Sequence, residues 1–350
     1  MQPALPAAPA AAPSPVRAEF LGSGSEYFRI WIVNLLLTLA TLGLYSPWAK
    51  VRRAQYFHRN LRLAGAGFDF DARPIAILRG RLLALALVAL VNLGSQASPV
   101  VSVLASLLLF VALPWMITAG LRFRLAHTLH RGLRFAFHGR IGGAARAYLL
   151  WPLGAGLSLG FLFPVAVQRQ QRFLYGQSAY GGTRFESDVR VRGVVRICLG
   201  MSAILLGVLV ALGGGFVALL PWSVGVCGAG EMYPLISLAA ILAAIVAAGA
   251  YFQVRLHNLV WNGLRLGPHR FRSEQTLASF LALQLGNLAA TAATLGLFRP
   301  WAAVRTARWH AERTWLLPAA SLDEFFAGAA QSEAATADEI AELFGFDIGF

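Results

Sequence analysis

Residues 34–52 read NLLLTLATLGLYSPWAKVR, and residues 287–305 read NLAATAATLGLFRPWAAVR. At this offset of 253, Asn34, Thr38, Thr41, Gly43, Pro47, Trp48 and Arg52 all recur, as Asn287, Thr291, Thr294, Gly296, Pro300, Trp301 and Arg305. Chance similarity between apolar stretches does not preserve Asn, Thr, Gly, Pro, Trp and Arg together, so the match marks an internal repeat. A weaker copy lies between them, where Gly43, Pro47 and Arg52 correspond to Gly160, Pro164 and Arg169, and Val165 stands in place of the Trp. Each copy is an apolar block ending in Gly…Pro, followed by an arginine-rich stretch.

The apolar fraction around these copies is 57% and the charged fraction 13%, with a mean hydropathy of +0.60. A soluble domain carries about twice that charge. The apolar residues fall into seven blocks: 29–46, 76–94, 99–121, 147–165, 194–220, 236–256 and 276–298. Helices that cross ~30 Å of hydrocarbon need blocks of roughly this length. The reading is therefore an all-α, polytopic transmembrane helix bundle with internal repeats, of four spans plus three segments that span or re-enter. Residues 1–18 form an Ala/Pro-rich disordered tail, 19–315 the membrane domain (copies at about 20–121, 133–256 and 264–315), and 316–350 an acidic cytoplasmic tail.

Charge bears on topology. Of 30 basic residues one is a lysine, Lys50; none follows Arg313, whereas seven acids lie between Asp323 and Asp347. If all seven blocks cross, the five arginine-rich connections split between the two faces, against the positive-inside bias. If blocks 29–46, 147–165 and 276–298 enter and leave on one side, all five become cytoplasmic and the two arginine-free turns, 94–99 and 221–234 (whose only charge is Glu231), face out. The prolines supply a reason, because Pro47, Pro164 and Pro300 each remove a helix donor. The alternative is that they end ordinary spanning helices, with Trp48 and Trp301 in the aromatic belt. Gly43, Gly160 and Gly296 with these prolines and tryptophans make up the repeat break.

Polar residues inside lipid-facing blocks are costly and point to a role. Asn34, Thr38 and Thr41, and likewise Asn287, Thr291 and Thr294, share one helical face, where they line a pathway or hold helices together. Arg52, Arg53 and Arg59, and the matching Arg305 and Arg308, are candidates for lipid headgroups along an amphipathic segment. His127, His130 and His138 have no neighbouring carboxylate or CxxC to complete a metal set. There is no nucleophile elbow, Walker loop or zincin motif. The expectation is a non-enzyme without cofactor or metal, transporter- or channel-like for a small solute or lipid, or else a non-transporting scaffold that binds anionic lipid. Membrane lipids are the expected partners and nucleic acid is not; the acidic tail leaves room for a protein partner or a homo-oligomer.

The string TLGLYSPWAKVRR, with Tyr56, Gly65, Phe68 and Phe70 beyond it, resembles the DUF898 family of YjgN-like bacterial inner-membrane proteins. The resemblance is specific over about residues 20–80 and 276–310 and looser between them, and the middle copy departs from it in lacking the Trp. It implies a bacterial inner-membrane location, and it transfers no catalytic residue because the family's function is unknown.

Overall fold

The computed structural model describes residues 14–223 and 229–331. It corrects the all-α expectation. Beside the helices it contains eleven short strands in one antiparallel sheet, ordered β1-β11-β10-β9-β8-β7-β6-β5-β4-β3-β2. β1 (Val16–Arg17) and β2 (Glu19–Phe20) are two halves of one extended run. The first half pairs with β11 (Thr314–Leu317) and the second with β3 (Leu61–Leu63), so the ladder returns on itself and closes a ring.

The remaining strands are hairpins: β3 with β4 (Ala66–Phe70), β5 (Thr128–His130) with β6 (Leu133–Phe137), β7 (Ser178–Tyr180) with β8 (Thr183–Ser187), and β9 (Leu264–Leu266) with β10 (His269–Ser273). Ala64-Gly65, Arg131-Gly132 and Gly181-Gly182 make their turns with both residues at positive φ, the geometry that matches strand twist in a two-residue hairpin. The arginine-rich stretches therefore have a period of two, as in β10, where His269, Phe271 and Ser273 are buried and Arg270 and Arg272 exposed. Apolar side chains point into the ring and arginines coat its outside. Arg134 meets Asp71 at 2.7 Å and Arg59 meets Asp69 at 2.8 Å on that outer face.

Because every neighbouring pair is antiparallel, all four hairpin turns lie on one rim and all helix junctions on the other. Five helical hairpins leave the junction rim and return to it. Two are tall: α3 (Pro74–Ala97) with α4 (Pro99–Ala126), and α8 (Val191–Ser223) with α9 (Ala229–Asn262). These four helices are long and apolar enough to cross a membrane.

Three hairpins are short: α1 (Gly24–Ala40) with α2 (Ser46–Asn60), α10 (Leu277–Ala293) with α11 (Arg299–Ala311), and a middle pair. The first arm of the middle pair is α5 (Ile141–Ala145), a π turn (Arg146–Leu150) and α6 (Trp151–Leu157); the second is α7 (Phe163–Gly176). A 17-residue arm such as α1 or α10 is about 25 Å long.

The Gly…Pro breaks of the sequence are the tips of these short hairpins, all built alike. Gly43, Gly160 and Gly296 donate to the carbonyls of Thr38, Ala155 and Thr291 at 2.7, 2.7 and 2.8 Å. Each tip places a leucine and then the glycine in the left-handed region: Leu42, Leu159 and Leu295 at φ 49, 50 and 51, and the glycines at φ 92 to 95. Left-handed backbone costs a leucine about 1–2 kcal/mol, yet these three side chains are 91–96% exposed. The strain displays a leucine at the end of each hairpin. Pro47, Pro164 and Pro300 then stand near the start of the return helix, each buried, where a missing N–H costs nothing.

Candidate functional site

Inside the ring, reaching up among the helix bases, is a cavity of about 530 Å³. Its sides come from inward strand residues such as Phe135, Tyr180, Leu266 and Phe271, and its upper wall from the last turns of α2, α4, α7, α9 and α11. His58, Leu125, Tyr175, Trp261 and Ala311 each stand three residues before a strand and all face it. This follows from the fold: each return helix feeds a strand, so its last turn is aimed at the axis. Arg124 is the one formally charged side chain on the wall among the described residues.

The cavity's polar groups are histidines and hydroxyls. The Tyr180 hydroxyl donates to the His130 carbonyl at 2.9 Å and sits 3.2 Å from His130 Nδ1. His130 Nε2 lies 3.1 Å from the Leu63 carbonyl. His269, 1% exposed, accepts from the backbone N–H of Ala319 at Nδ1 (3.3 Å). That bond fixes the neutral tautomer with hydrogen on Nε2, and Nε2 is buried without a protein partner. His310 Nδ1 accepts from the Gln275 amide at 2.9 Å.

Burial holds His130, His269 and His310 below the ordinary imidazole value of 6.5, because a charged ring would lose its hydration there. An unfolded chain takes up these protons first as pH falls through 6.5. The stability gained from neutral burial is therefore complete above pH 6.5 and lost progressively below it. Thermal melts of the detergent-solubilised protein are expected to fall between pH 7.5 and pH 5. Exposed Asp69, held below the usual carboxylate range by its bond to Arg59, responds only below about pH 4.

The residues singled out in the sequence lie elsewhere. Asn34 and Asn287 are buried on α1 and α10, away from the cavity. Asn287 donates to the Ala302 carbonyl at 3.4 Å and to Thr306 Oγ1 at 3.3 Å, joining α10 to α11. Thr38 bonds the Asn34 carbonyl of its own helix at 2.6 Å, and Thr291 contributes its carbonyl to the tip. Thr41 and Thr294 staple the tips: each hydroxyl bonds back four residues at 2.7 Å and accepts the N–H of Tyr45 or Phe298 at 3.0 Å. Ser158 accepts from Leu162 at 3.0 Å in the same way. Thr41→Val and Thr294→Val are each expected to cost about 1 kcal/mol, read as a lowered Tm. Trp48 stacks on Tyr45, and Trp301 stacks on Phe298 and packs against Phe28 and Gly24.

Among the headgroup candidates, Arg59 is tied to Asp69 and Arg308 donates to the Gly22 carbonyl at 2.8 Å. Arg52 and Arg53 lie over the rings of Tyr45 and Phe57, and Arg305 is exposed. His127 bonds its own helix, whereas His130 faces the cavity. The strands, the cavity and the residues lining it were not recognised in the sequence. The signal that could have found them is the recurrence of Leu-Arg-Leu or Thr-Leu-His before a two-residue turn.

The whole assembly matches one family model, "Bacterial protein of unknown function (DUF898)", over residues 15–343. The chain belongs to the DUF898 family. A relative named inner membrane protein YjgN, from Salmonella typhimurium, is 26% identical over 343 residues, covering 84% of this chain and 87% of its own. Proteins of the same name from Escherichia coli O157:H7 and K12 are 30% identical over 155 and 150 residues, each match covering 43% of this chain and 38% of the relative. No solved structure matches. With four candidate spans, this DUF898 member is a multi-pass protein of the bacterial inner membrane.

Proposed function

We propose that this DUF898 protein binds an amphiphile, a lipid or a small molecule with an apolar body, and handles it at the cytoplasmic face of the inner membrane without catalysis. The cavity carries the reading. About 530 Å³ is the size of a small-ligand site. Its wall is aromatic and aliphatic, and at His269 it holds a buried N–H donor with no protein acceptor. An apolar body with one acceptor group satisfies both features.

The proposed topology follows from the shared rim. With the ring in the cytoplasm, the tall hairpins cross and return, every arginine-coated strand is cytoplasmic, and the positive-inside bias is met. The short hairpins re-enter the near leaflet. Arg81, the last charge before the apolar run of α3, donates to Ser46 at the first tip, which supports a tip at the boundary between headgroups and acyl chains. The exposed leucines at all three tips favour the companion reading of a lipid-engaging scaffold, in which the tips grip the leaflet beside the cavity.

Single cysteines at Arg134, Arg184 and Arg270, all outward and exposed, test the topology. In a background lacking Cys198 and Cys227, all three are expected to react from the cytoplasmic side only; one reacting from outside sinks the arrangement. Native mass spectrometry of the purified protein tests the ligand. A co-purifying amphiphile is expected, and Leu266→Trp, which fills the cavity, is expected to reduce its occupancy about tenfold or more. An empty wild-type protein after extraction in mild detergent would count against the binding reading.

A further inference from the structure

We propose that residues 322–331 are a removable plug, so that access to the cavity from the turn rim is regulated by the chain's own C-terminal segment. The inference rests on the reading that the cavity binds a ligand and adds how it is closed. After β11 the chain turns over Pro318 to Ser321 and forms a helix, α12 (residues 322–331), across the rim where the strand hairpins turn.

Its apolar face enters the ring. The Phe325 ring meets His269 edge-on at 4.6 Å. Phe326 lies 5.7 Å from His130 and 6.1 Å from Tyr180. Ala329 is 5% exposed within the ring's own core. The residues that hold the cavity's polar groups in place are thus the ones the plug covers.

The rim is shaped to receive this helix. A Cβ added to Gly181 would stand 2.9 Å from that of Ala329, too close to be accommodated, whereas one added to Gly267 would only reach ordinary contact with the Phe325 ring at 3.4 Å. The turn at Gly181 therefore presents bare backbone where the helix crosses, and the turn at Gly267 lies in contact with it. Another hairpin turn supplies a clasp: Arg131, at positive φ, bonds Asp323 at 2.9 Å and lies 4.3 Å over the Phe326 ring. Asp323 is 88% exposed, so the ion pair alone is weak and the aromatic pair supplies most of the hold.

The seat is separable from the ring. The ladder is complete at Leu317, and α12 hangs on a four-residue tether. Asp323, Glu324, Ala327 and Ala330 face solvent. A helix this short has little stability of its own, so leaving the seat amounts to local unfolding of one element outside the ladder rather than opening of the ring.

A cysteine reporter on the cavity wall tests this. Ser178→Cys, at a buried wall position, is introduced in the background lacking Cys198 and Cys227 and reacted with a bulky, membrane-impermeant disulfonated maleimide. The full chain, the chain ending at Pro318, and full-length Phe325→Ala/Phe326→Ala are compared, with size-exclusion profiles and melts confirming that each is folded. Both plug variants are expected to label about tenfold faster or more, the ratio that reports a lost closed state. Equal rates in the full chain and in either folded variant overturn the plug. A fluorescent single-chain fatty acid is titrated in parallel. Faster labelling without binding of this probe leaves the plug standing and counts against the amphiphile reading. Binding with equal labelling rates overturns the plug alone.

Discussion

Leu316→Asp is expected to abolish folded protein, seen as loss of the monodisperse peak in detergent and of any cooperative melt. Leu316 lies in β11, opposite Val16 on one side and Phe271 on the other. It is 4% exposed and packs with Leu133, Tyr180, Leu264, Leu266 and Phe271. A carboxylate there would have no cationic partner in an apolar ring. An uncompensated buried charge costs about 3–5 kcal/mol, and losing a buried leucine side chain adds to it. The effect is amplified because β11 and the N-terminal run are the two strands that close the ladder. Arg17→Ala provides the contrast. Arg17 is on the same seam but half-exposed; its Nε donates to the Glu312 carbonyl at 2.6 Å and its carboxylate contact is 4.0 Å, so a loss of only about 0.5–1.5 kcal/mol is expected. Comparable losses in both variants would mean that the seam does not hold the ring together.

Tyr180→Ala and Tyr180→Phe are expected to separate two contributions at the largest fully buried side chain of the ring. Tyr180 is 2% exposed and touches Phe135 at 4.8 Å between ring centres. Removing an aromatic side chain from such a site costs about 3–5 kcal/mol. Removing only the hydroxyl forfeits the bond to the His130 carbonyl, a loss of about 1–3 kcal/mol if that acceptor is left without a partner. The Ala variant should therefore melt well below the Phe variant, with Tm read by tryptophan fluorescence. The same pair informs on the ligand site, since Phe keeps the apolar wall and Ala enlarges the cavity. Equal destabilisation by the two would place the weight on the hydroxyl network instead of the packing.

The membrane character, the four spans and the family were legible in the sequence, because apolar blocks of membrane length and the Gly…Pro strings depend only on local order. The Gly43, Gly160 and Gly296 positions were found from the repeat alone, and the structure shows why they recur: each takes a left-handed conformation in which no side chain is accommodated without strain. The strands were not found. Their segments are two to five residues long and lie in arginine-rich stretches, which read only as basic connections between apolar blocks. Period two shows there only once the ring gives the arginines an outside to face. Asn34 and Asn287 stood out correctly as buried polar groups, yet their place is beside helices and away from the cavity.

By itself the sequence determined that this chain enters a membrane, which four segments are long and apolar enough to cross it, and that one motif recurs along it, since hydropathy, proline and glycine act on their immediate neighbours. Only the tertiary structure decided that the arginine-rich connections are staves of a closed ring, that all helical hairpins share one rim, and that Tyr180, His130 and His269 face a common cavity under residues 322–331. Pairing Val16 with Leu316 and Phe68 with His130 joins residues far apart in sequence. Such contacts arise from closing the ladder, and no local preference encodes them.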